Sequence, residues 1–486
     1  MTLSDVADSN AGHSGAGPYR VLLGMGSNLG CRLSSIARAL RLLATDPACR
    51  VVAVSPIYST APVGGPPQGD FLNGCVLLEV DLTPPELLPR LKAIERSVGR
   101  VKGERFGPRV IDLDILLYGD ACFDDDAVRV PHPRFTERAF ALVPAADLVP
   151  HWLVPGSNDS VGAHAARVSV LGARAPEPVA EVFAPWHHPQ AVSTRDPLLV
   201  VKRKAILREL MEHRRLAGES IGFVPTMGAL HVGHASLVQA SVAQNDTTVA
   251  SIFVNPTQFG QNEDLSTYPR TPTEDCDLLW QSGCDVLWMP DVAEMYPAGF
   301  RTRIAMDGLP EVLCGRSRPT HFAGVLQVVL KLLHQVGPSH AYFGRKDYQQ
   351  ALVIRQMVKD LDVPVVVVTC PIVREEDGLA LSSRNRYLTG EERRVAPLIR
   401  RALLVMNAAF RSGVLDVSVL LKAGQAVLSE SSLLRLDYLE VRHPETLELR
   451  SADVSYGDLI AIAAFLGRAR LIDNLLLGEN ADGLLT

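Results

Sequence analysis

The sequence predicts a multidomain protein that combines α/β and α+β units, on three observations. At 486 residues the chain exceeds one ordinary domain and suggests roughly three units. Helix-periodic and strand-periodic stretches interleave along most of its length. An Ala- and Pro-rich stretch interrupts that pattern near the middle. Composition agrees, because 47% hydrophobic and 21% charged residues mark a core-forming chain and not a disordered one.

Residues 1–18 are polar and Gly/Ser-rich, without the apolar region of a signal peptide, and read as a flexible tail. Tyr19 to Gly24 opens with a strand signal. A helix follows from Leu33 to Leu43, then β-rich runs at Val51–Tyr58 and Phe71–Val80. Pro84–Val98 reads as a helix with proline near its start. Val110–Tyr118 alternates as a strand does. This first unit spans 19–172, its clear periodicity ending near Pro155. Residues 173–197 read as a semi-stiff linker. A second α/β unit, 198–375, carries strands near 248–254, 284–289 and 363–370. A smaller C-terminal unit, 376–486, shows helices at Glu391–Phe410 and Val417–Glu430 and strands at Asp437–Arg442 and Asp458–Ala464.

The bulk numbers narrow the function. A net charge of −6 argues against a nucleic-acid partner held by bulk electrostatics. Eight dispersed cysteines with no C-x-x-C pair fit a reducing compartment rather than a disulfide framework or zinc site. No uncharged apolar run reaches membrane-spanning length, so a soluble, cytoplasmic protein without membrane contact is expected.

Two stretches carry chemistry in the first unit. Asp112 and Asp114 stand two apart in a strand and so share a face, while Ile111, Leu113 and Ile115 face the core. Two adjacent carboxylates repel unless cations lie between them, and all-oxygen ligation suits Mg2+ together with nucleotide phosphates. Arg100, Lys102, Arg105 and Arg109, interspersed with glycines, form a basic loop suited to closing over polyphosphate, and His132 and Arg138 follow.

In the second unit, Pro225-Thr226-Met227-Gly228-Ala229-Leu230-His231-Val232-Gly233-His234 reads as strand, glycine turn and helix start. Free N–H groups and the positive end of the helix dipole favour an anion there, and the imidazoles can donate to phosphoryl oxygens. Asn255 and Gln258 follow a buried strand, where they either bind a small polar substrate or cap a loop. Lys346 offers a point charge to polyphosphate, and Ser382, Ser383 and Arg384 lie on a late basic turn.

The first unit resembles hydroxymethyldihydropterin pyrophosphokinase. The resemblance rests on Gly26-Ser27-Asn28-Leu29-Gly30, Tyr58-Ser59-Thr60, Asp70-Phe71-Leu72-Asn73, Gly107-Pro108-Arg109, Asp112-Leu113-Asp114 and Pro131-His132-Pro133 in that order. It implies a ferredoxin-like α/β fold and transfer of a pyrophosphoryl group from ATP to the pterin hydroxymethyl. It further implies Mg2+ on Asp112 and Asp114 and the pterin ring between Phe71 and Phe140. Asn73 and Thr60 then serve the pterin, and Arg100, Lys102, Arg109, His132 and Arg138 serve ATP. Cys31 stands where that family commonly has Asp, and the 102–106 loop is about one residue short.

The second and third units resemble pantothenate synthetase of the HIGH-superfamily nucleotidyl transferases. The motifs are the histidine turn, Leu313-Cys314-Gly315, Arg318-Pro319-Thr320-His321-Phe322, Phe343 to Gln350, Val373-Arg374-Glu375, Leu381 to Asn385 and Leu471-Ile472-Asp473-Asn474. The resemblance implies a Rossmann-like domain with a smaller C-terminal α/β subdomain, a homodimer, and ATP–Mg2+-dependent joining of pantoate and β-alanine. It places ATP on Met227, Gly228, Ala229, Leu230, His231, Val232, Gly233, His234, Gly344, Arg345, Lys346, Asp347, Val373, Leu381, Ser382, Ser383 and Arg384. His234 is the implied proton donor, and Gln258 and Gln350 hold the smaller substrates. Arg345 departs from the family's usual Glu.

Two further readings stay open at this point. The first unit is an inactive binding module beside an active synthetase, or the second belongs to an aminoacyl-tRNA synthetase relative. Retention of Asp112, Asp114, Arg109 and His132 speaks against the former. The acidic charge balance speaks against the latter.

Overall fold

The computed structural model describes residues 18–104, 106–170, 177–186, 192, 195–260 and 265–480. All of the expected tail but Pro18, and Arg105 of the basic loop, lie outside the described residues. By internal contacts the chain forms two compact units, Met1–Ala217 with Asp285–Pro290, and Gly218–Cys284 with Asp291–Thr486.

In the first unit, Tyr19–Ser27 lies between Phe71–Val80 and Asp112–Tyr118, antiparallel to both. The expected run 51–58 is two strands, Cys49–Val54 and Ile57–Thr60, each pairing with Phe71–Val80. The break falls at Ser55-Pro56, where proline lacks the N–H a ladder needs. Helix Pro84–Val98 forms as the sequence predicts. Thr83 N donates to Glu86 Oε2 at 2.8 Å in a capping box, and Gly99 at φ 116° ends the helix. Helix Ala139–Leu148 packs on the sheet through a cluster that includes Leu22, Leu77, Leu117, Leu142 and Trp152.

The segment that composition marks as a linker contains a strand, Pro178–Phe183. It pairs antiparallel with Ile57–Thr60 on one side and with Leu198–Val201 on the other, and Val286–Trp288 adds parallel to the latter. Its ladder partners define it, so local Ala/Pro content conceals it. Helix Val161–Val170 likewise forms where the periodicity fades.

In the second unit, parallel strands run in the order Val366–Cys370, His340–Gly344, Ile221–Thr226, Thr247–Ile252. Their carboxyl ends lead into Pro371–Val373, Arg345–Asp347, Met227–His231 and Phe253–Gln258. A parallel sheet binds its ligands at that edge. The C-terminal part is a three-stranded antiparallel sheet of Leu434–Arg442, Leu459–Leu466 and Ala469–Leu476. Helices Leu398–Arg411 and Val417–Leu428 cover it through Leu403, Met406, Leu420, Val441 and Ile460. The expected helix 391–410 is two, Gly390–Val395 and Leu398–Arg411, divided at Pro397. Among the described residues no helix is long and apolar enough to cross a membrane.

Candidate functional site

The first unit holds a cleft of about 470 Å³ lined by Thr60, Phe71, Asn73, Arg100, Arg109, Asp112, Asp114, His132, Arg138 and Phe140. Of the described residues expected there, Lys102 alone stays outside, exposed on its loop. It sits on an irregular stretch between helix Pro84–Val98 and strand Asp112–Tyr118, where no ladder or helix face turns it inward. Asp112 directs one oxygen to Arg100 and the other to Arg109. Burial opposes its ionisation, but Arg109 and Arg100 outweigh burial and hold this carboxyl below the usual range. Asp114 moves the other way, raised by burial and then by the charge on Asp112. Burial lowers His132, against the pull of Asp114.

The surroundings fix these groups. Buried Glu95, which no local pattern announces, accepts from Leu113 N at 2.8 Å and pairs with Arg100 at 2.6 Å. Asn73 Nδ2 donates to Thr60 Oγ1 at 2.7 Å. A Cβ on Gly26 would lie 2.8 Å from Asn73 Oδ1, so glycine is what lets these strands present Asn73 to the cleft. The Arg138 guanidinium stands 5.4 Å from the Phe140 ring centroid.

The second unit holds a cleft of about 250 Å³ that contains Met227, His231, Gly233, His234, Gln258, Gly344, Lys346, Asp347, Gln350, Val373, Leu381, Ser382, Ser383 and Arg384. An adjoining cavity of about 710 Å³ shares Lys346, Asp347, Gln350, Ser382 and Arg384 with it.

His231 caps helix Val232–Val242. Gly233 N donates to His231 Nδ1 at 3.1 Å, and His231 N donates to His234 Nδ1 at 3.3 Å. With both Nδ1 atoms accepting, each neutral ring carries its proton on Nε2. Burial, then Lys346 and Arg386, lowers His231 to about 4. Burial, then His231 and Lys346, lowers His234 to about 3. Both are neutral hydrogen-bond donors at pH 7, in the same cleft as the lysine.

The turn before them is bent, with Gly228 at φ 84° and Ala229 at φ 51°. Buried Asp275 holds it by accepting from Ala229 N at 3.0 Å and Leu230 N at 2.8 Å. Gly228, Ala229, Leu230 and Val232 shape the turn and do not themselves line the cleft.

Two expectations need correction. Asn255 is fully buried and faces protein. Its Nδ2 donates to Gln258 Oε1 at 3.2 Å and Gly324 O at 3.0 Å, and its Oδ1 accepts from Thr257 Oγ1 at 3.0 Å and Tyr296 OH at 2.9 Å. Its amide is saturated by these protein groups, one of them Gln258, and Asn255 does not line the cleft. Arg345 also turns away from the cleft. It pairs at 2.5 Å with Glu479, which is 1% exposed, so its charge is spent within the fold. Lys346, the next residue, lines the cleft, and Asn474 Nδ2 holds this turn through the carbonyls of Arg345 at 2.9 Å and Lys346 at 3.0 Å.

The structure adds Arg318 and His321 to both cavities. His321 Nδ1 lies 3.0 Å from Gln258 O. Their motif was visible in the sequence, but its place in the site was not.

A family model described as pantoate-beta-alanine ligase matches residues 199–476, over half the chain. The chain belongs to the pantoate-beta-alanine ligase family. The pantothenate synthetase of Acidobacterium capsulatum is 54% identical over 287 residues, covering 58% of this chain and 96% of that relative. That of Koribacter versatilis is 51% identical over 286 residues, covering 58% and 97%. The crystal structure of pantothenate synthetase from Thermus thermophilus superposes with a TM-score of 0.54 at 48% identity, covering 57% of this chain and 99% of that one. A second family model, 7,8-dihydro-6-hydroxymethylpterin-pyrophosphokinase, matches residues 22–150. The chain is therefore a fusion of a pantoate-beta-alanine ligase with a pterin pyrophosphokinase, and it is bifunctional.

Proposed function

We propose that the two clefts are the two active sites, with separate chemistries in one chain. In the ligase cleft the pantoate carboxylate attacks the α-phosphorus of ATP and the bond to pyrophosphate breaks. The amine of β-alanine then attacks the acyl carbon of pantoyl adenylate and AMP leaves. His231, His234 and Lys346 carry this reading, because two Nε2–H donors and an ammonium converge where phosphoryl charge develops. Ser382, Ser383 and Arg384 complete the phosphate site, with Met227, Gly233, Gly344, Asp347, Val373 and Leu381 as its walls. Gln258 and Gln350 hold pantoate, and Gln258 also β-alanine.

In the kinase cleft the pterin hydroxymethyl oxygen attacks the β-phosphorus of ATP, and AMP leaves. Arg100, Arg109, His132 and Arg138 bind the nucleotide. Phe71 and Phe140 stack on the pterin ring, and Asn73 with Thr60 reads its polar edge. Arg100 and Arg109 are held on Asp112 until polyphosphate arrives to compete for them.

The donor set of the kinase cleft fits Mg2+. Asp112 and Asp114 offer oxygen only, and Asp114, raised by burial and its neighbour, ionises more readily beside a cation. Among the described residues no three His, Cys, Asp or Glu side chains gather as a metal cage. A pair completed by ATP oxygens and water suits that arrangement. When bound, the ion neutralises phosphate charge.

The proposal extends to a ferredoxin-like kinase domain at 19–172 and a Rossmann-like ligase domain at 198–375 with its subdomain at 376–486. A cytoplasmic homodimer joined through the ligase region completes it. Paired variants test the assignment of sites. Asp114→Asn should abolish AMP formation with the pterin and leave pyrophosphate release with pantoate and β-alanine intact. Lys346→Ala should do the reverse. Either variant silencing both reactions would refute separate sites.

A further inference from the structure

We propose that Glu209, inside the ligase-family region, is a positioning residue for the pyrophosphokinase cleft. Helix Arg32–Thr45 begins just after the Gly26–Gly30 turn, and its first N–H groups need acceptors. Cys31 at the N-cap makes no capping hydrogen bond, and the first turn contains no acid. The Cys31 sulfur faces Ser34 Oγ at 3.0 Å instead. A carboxylate reaches this helix end from helix Lys204–Leu216. Glu209 Oε1 accepts from Arg32 N at 3.2 Å and from Arg32 Nε at 3.1 Å, and Oε2 accepts from the guanidinium as well.

The gripped arginine then reaches the segment that leads into Phe71. Its other terminal nitrogen donates to the Asp70 carbonyl at 2.8 Å, immediately before Phe71. The same segment is also held by Asn28, whose Nδ2 donates to Gln68 Oε1 at 2.9 Å and Gly69 O at 3.3 Å. Asn28 Oδ1 accepts from Arg109 N at 2.8 Å. Glu209 thus sets Arg32, Arg32 sets Asp70, and Asp70 sets where strand Phe71–Val80 presents Phe71 and Asn73.

The pair is built to hold. The Arg32 and Glu209 side chains are 18% and 28% exposed, so the contact is a part-buried, multiply bonded ion pair and not a screened surface one. Arg41–Asp196, in the same unit, is far more open, with Asp196 at 73%. Glu209 lies outside residues 22–150, to which the kinase family model is confined. The fusion thus supplies its kinase with a support that the matched region does not contain.

The proposal rests on the assignment of Phe71 and Asn73 to the pterin, and the test separates the two. In the full chain, Glu209→Gln should raise the KM for hydroxymethyldihydropterin by roughly tenfold, with kcat and the ligase constants within about twofold. Glu209→Gln should also lower the melting temperature, and adding Cys31→Asp supplies a local cap, so the melting temperature should recover while the raised KM persists. Recovery of both would reduce Glu209 to a helix cap and overturn the proposal. So would an unchanged KM, or an equal loss of both activities. Phe71→Ala run alongside should also raise the KM, and if it does not, the pterin assignment fails and takes the proposal with it.

Discussion

Gly324 offers a sharp test of how the ligase cleft is held. It lies in the first turn of helix His321–Val336, against the Pro256–Gln258 turn. A Cβ at Gly324 would lie 2.5 Å from Thr257 O, 2.6 Å from Thr257 C and 2.7 Å from Gln258 Cα. All three are backbone atoms, so no side-chain tip can swing aside. Ordinary carbon contacts sit at about 3.5–4.0 Å, and the turn must therefore retreat by roughly 1 Å. Two bonds resist the retreat, Asn255 Nδ2 to Gly324 O at 3.0 Å and His321 Nδ1 with Gln258 O at 3.0 Å. Overpacking of this kind costs about 1–3 kcal/mol. A displacement of about 1 Å at a substrate-positioning group costs up to about 100-fold in rate. Gly324→Ala should lower ligase kcat/KM by about 10- to 100-fold and the melting temperature by several degrees, with pterin-dependent AMP formation unchanged. The assay is pyrophosphate release under limiting pantoate. Full ligase activity in a folded Gly324→Ala chain would mean that the Pro256–Gln258 turn does not depend on this close approach.

Other expectations follow from the same contacts. Arg345→Glu, which installs the residue common in the family, sets a second carboxylate against Glu479. It should destabilise the chain by about 3–5 kcal/mol in denaturant melts, and Glu479→Arg added to it should restore part of the loss. Asp275→Ala strips the acceptor from two buried N–H groups and should cost about 1–3 kcal/mol, with a larger drop in ligase than in kinase activity. The histidine pair predicts a pH dependence. Unfolded histidine ionises near 6.5, whereas His231 and His234 ionise at about 4 and 3 in the fold. Below pH 6.5 the unfolded chain therefore binds more protons, and stability falls as pH drops toward 4. Urea midpoints at about pH 7 and pH 5 measure the slope, which should flatten in a His231→Asn/His234→Asn chain.

Much of both sites was legible because their signals are local. A strand puts Asp112 and Asp114 on one face whatever its partners do, and a glycine turn before a helix announces an anion site at His231 and His234. Groups whose meaning depends on distant partners were hidden. Glu95, Glu209 and Asp275 are ordinary helical acids until the fold brings the Leu113 amide, Arg32 and the Ala229–Leu230 amides to them. Asn255 and Arg345 lie in recognisable motifs, but their directions are settled by Gly324, Tyr296 and Glu479, all far along the chain. Strand Pro178–Phe183 reads as linker because only its ladder partners make it a strand.

Product stoichiometry decides whether one chain carries out two ATP chemistries. AMP and free pyrophosphate are followed separately in one preparation of the full chain with ATP and Mg2+. Pantoate plus β-alanine should yield pyrophosphate and AMP in equal amounts, and hydroxymethyldihydropterin should yield AMP with no free pyrophosphate. AMP formation that ignores the pterin would leave a ligase joined to an inactive domain and rule out the second chemistry.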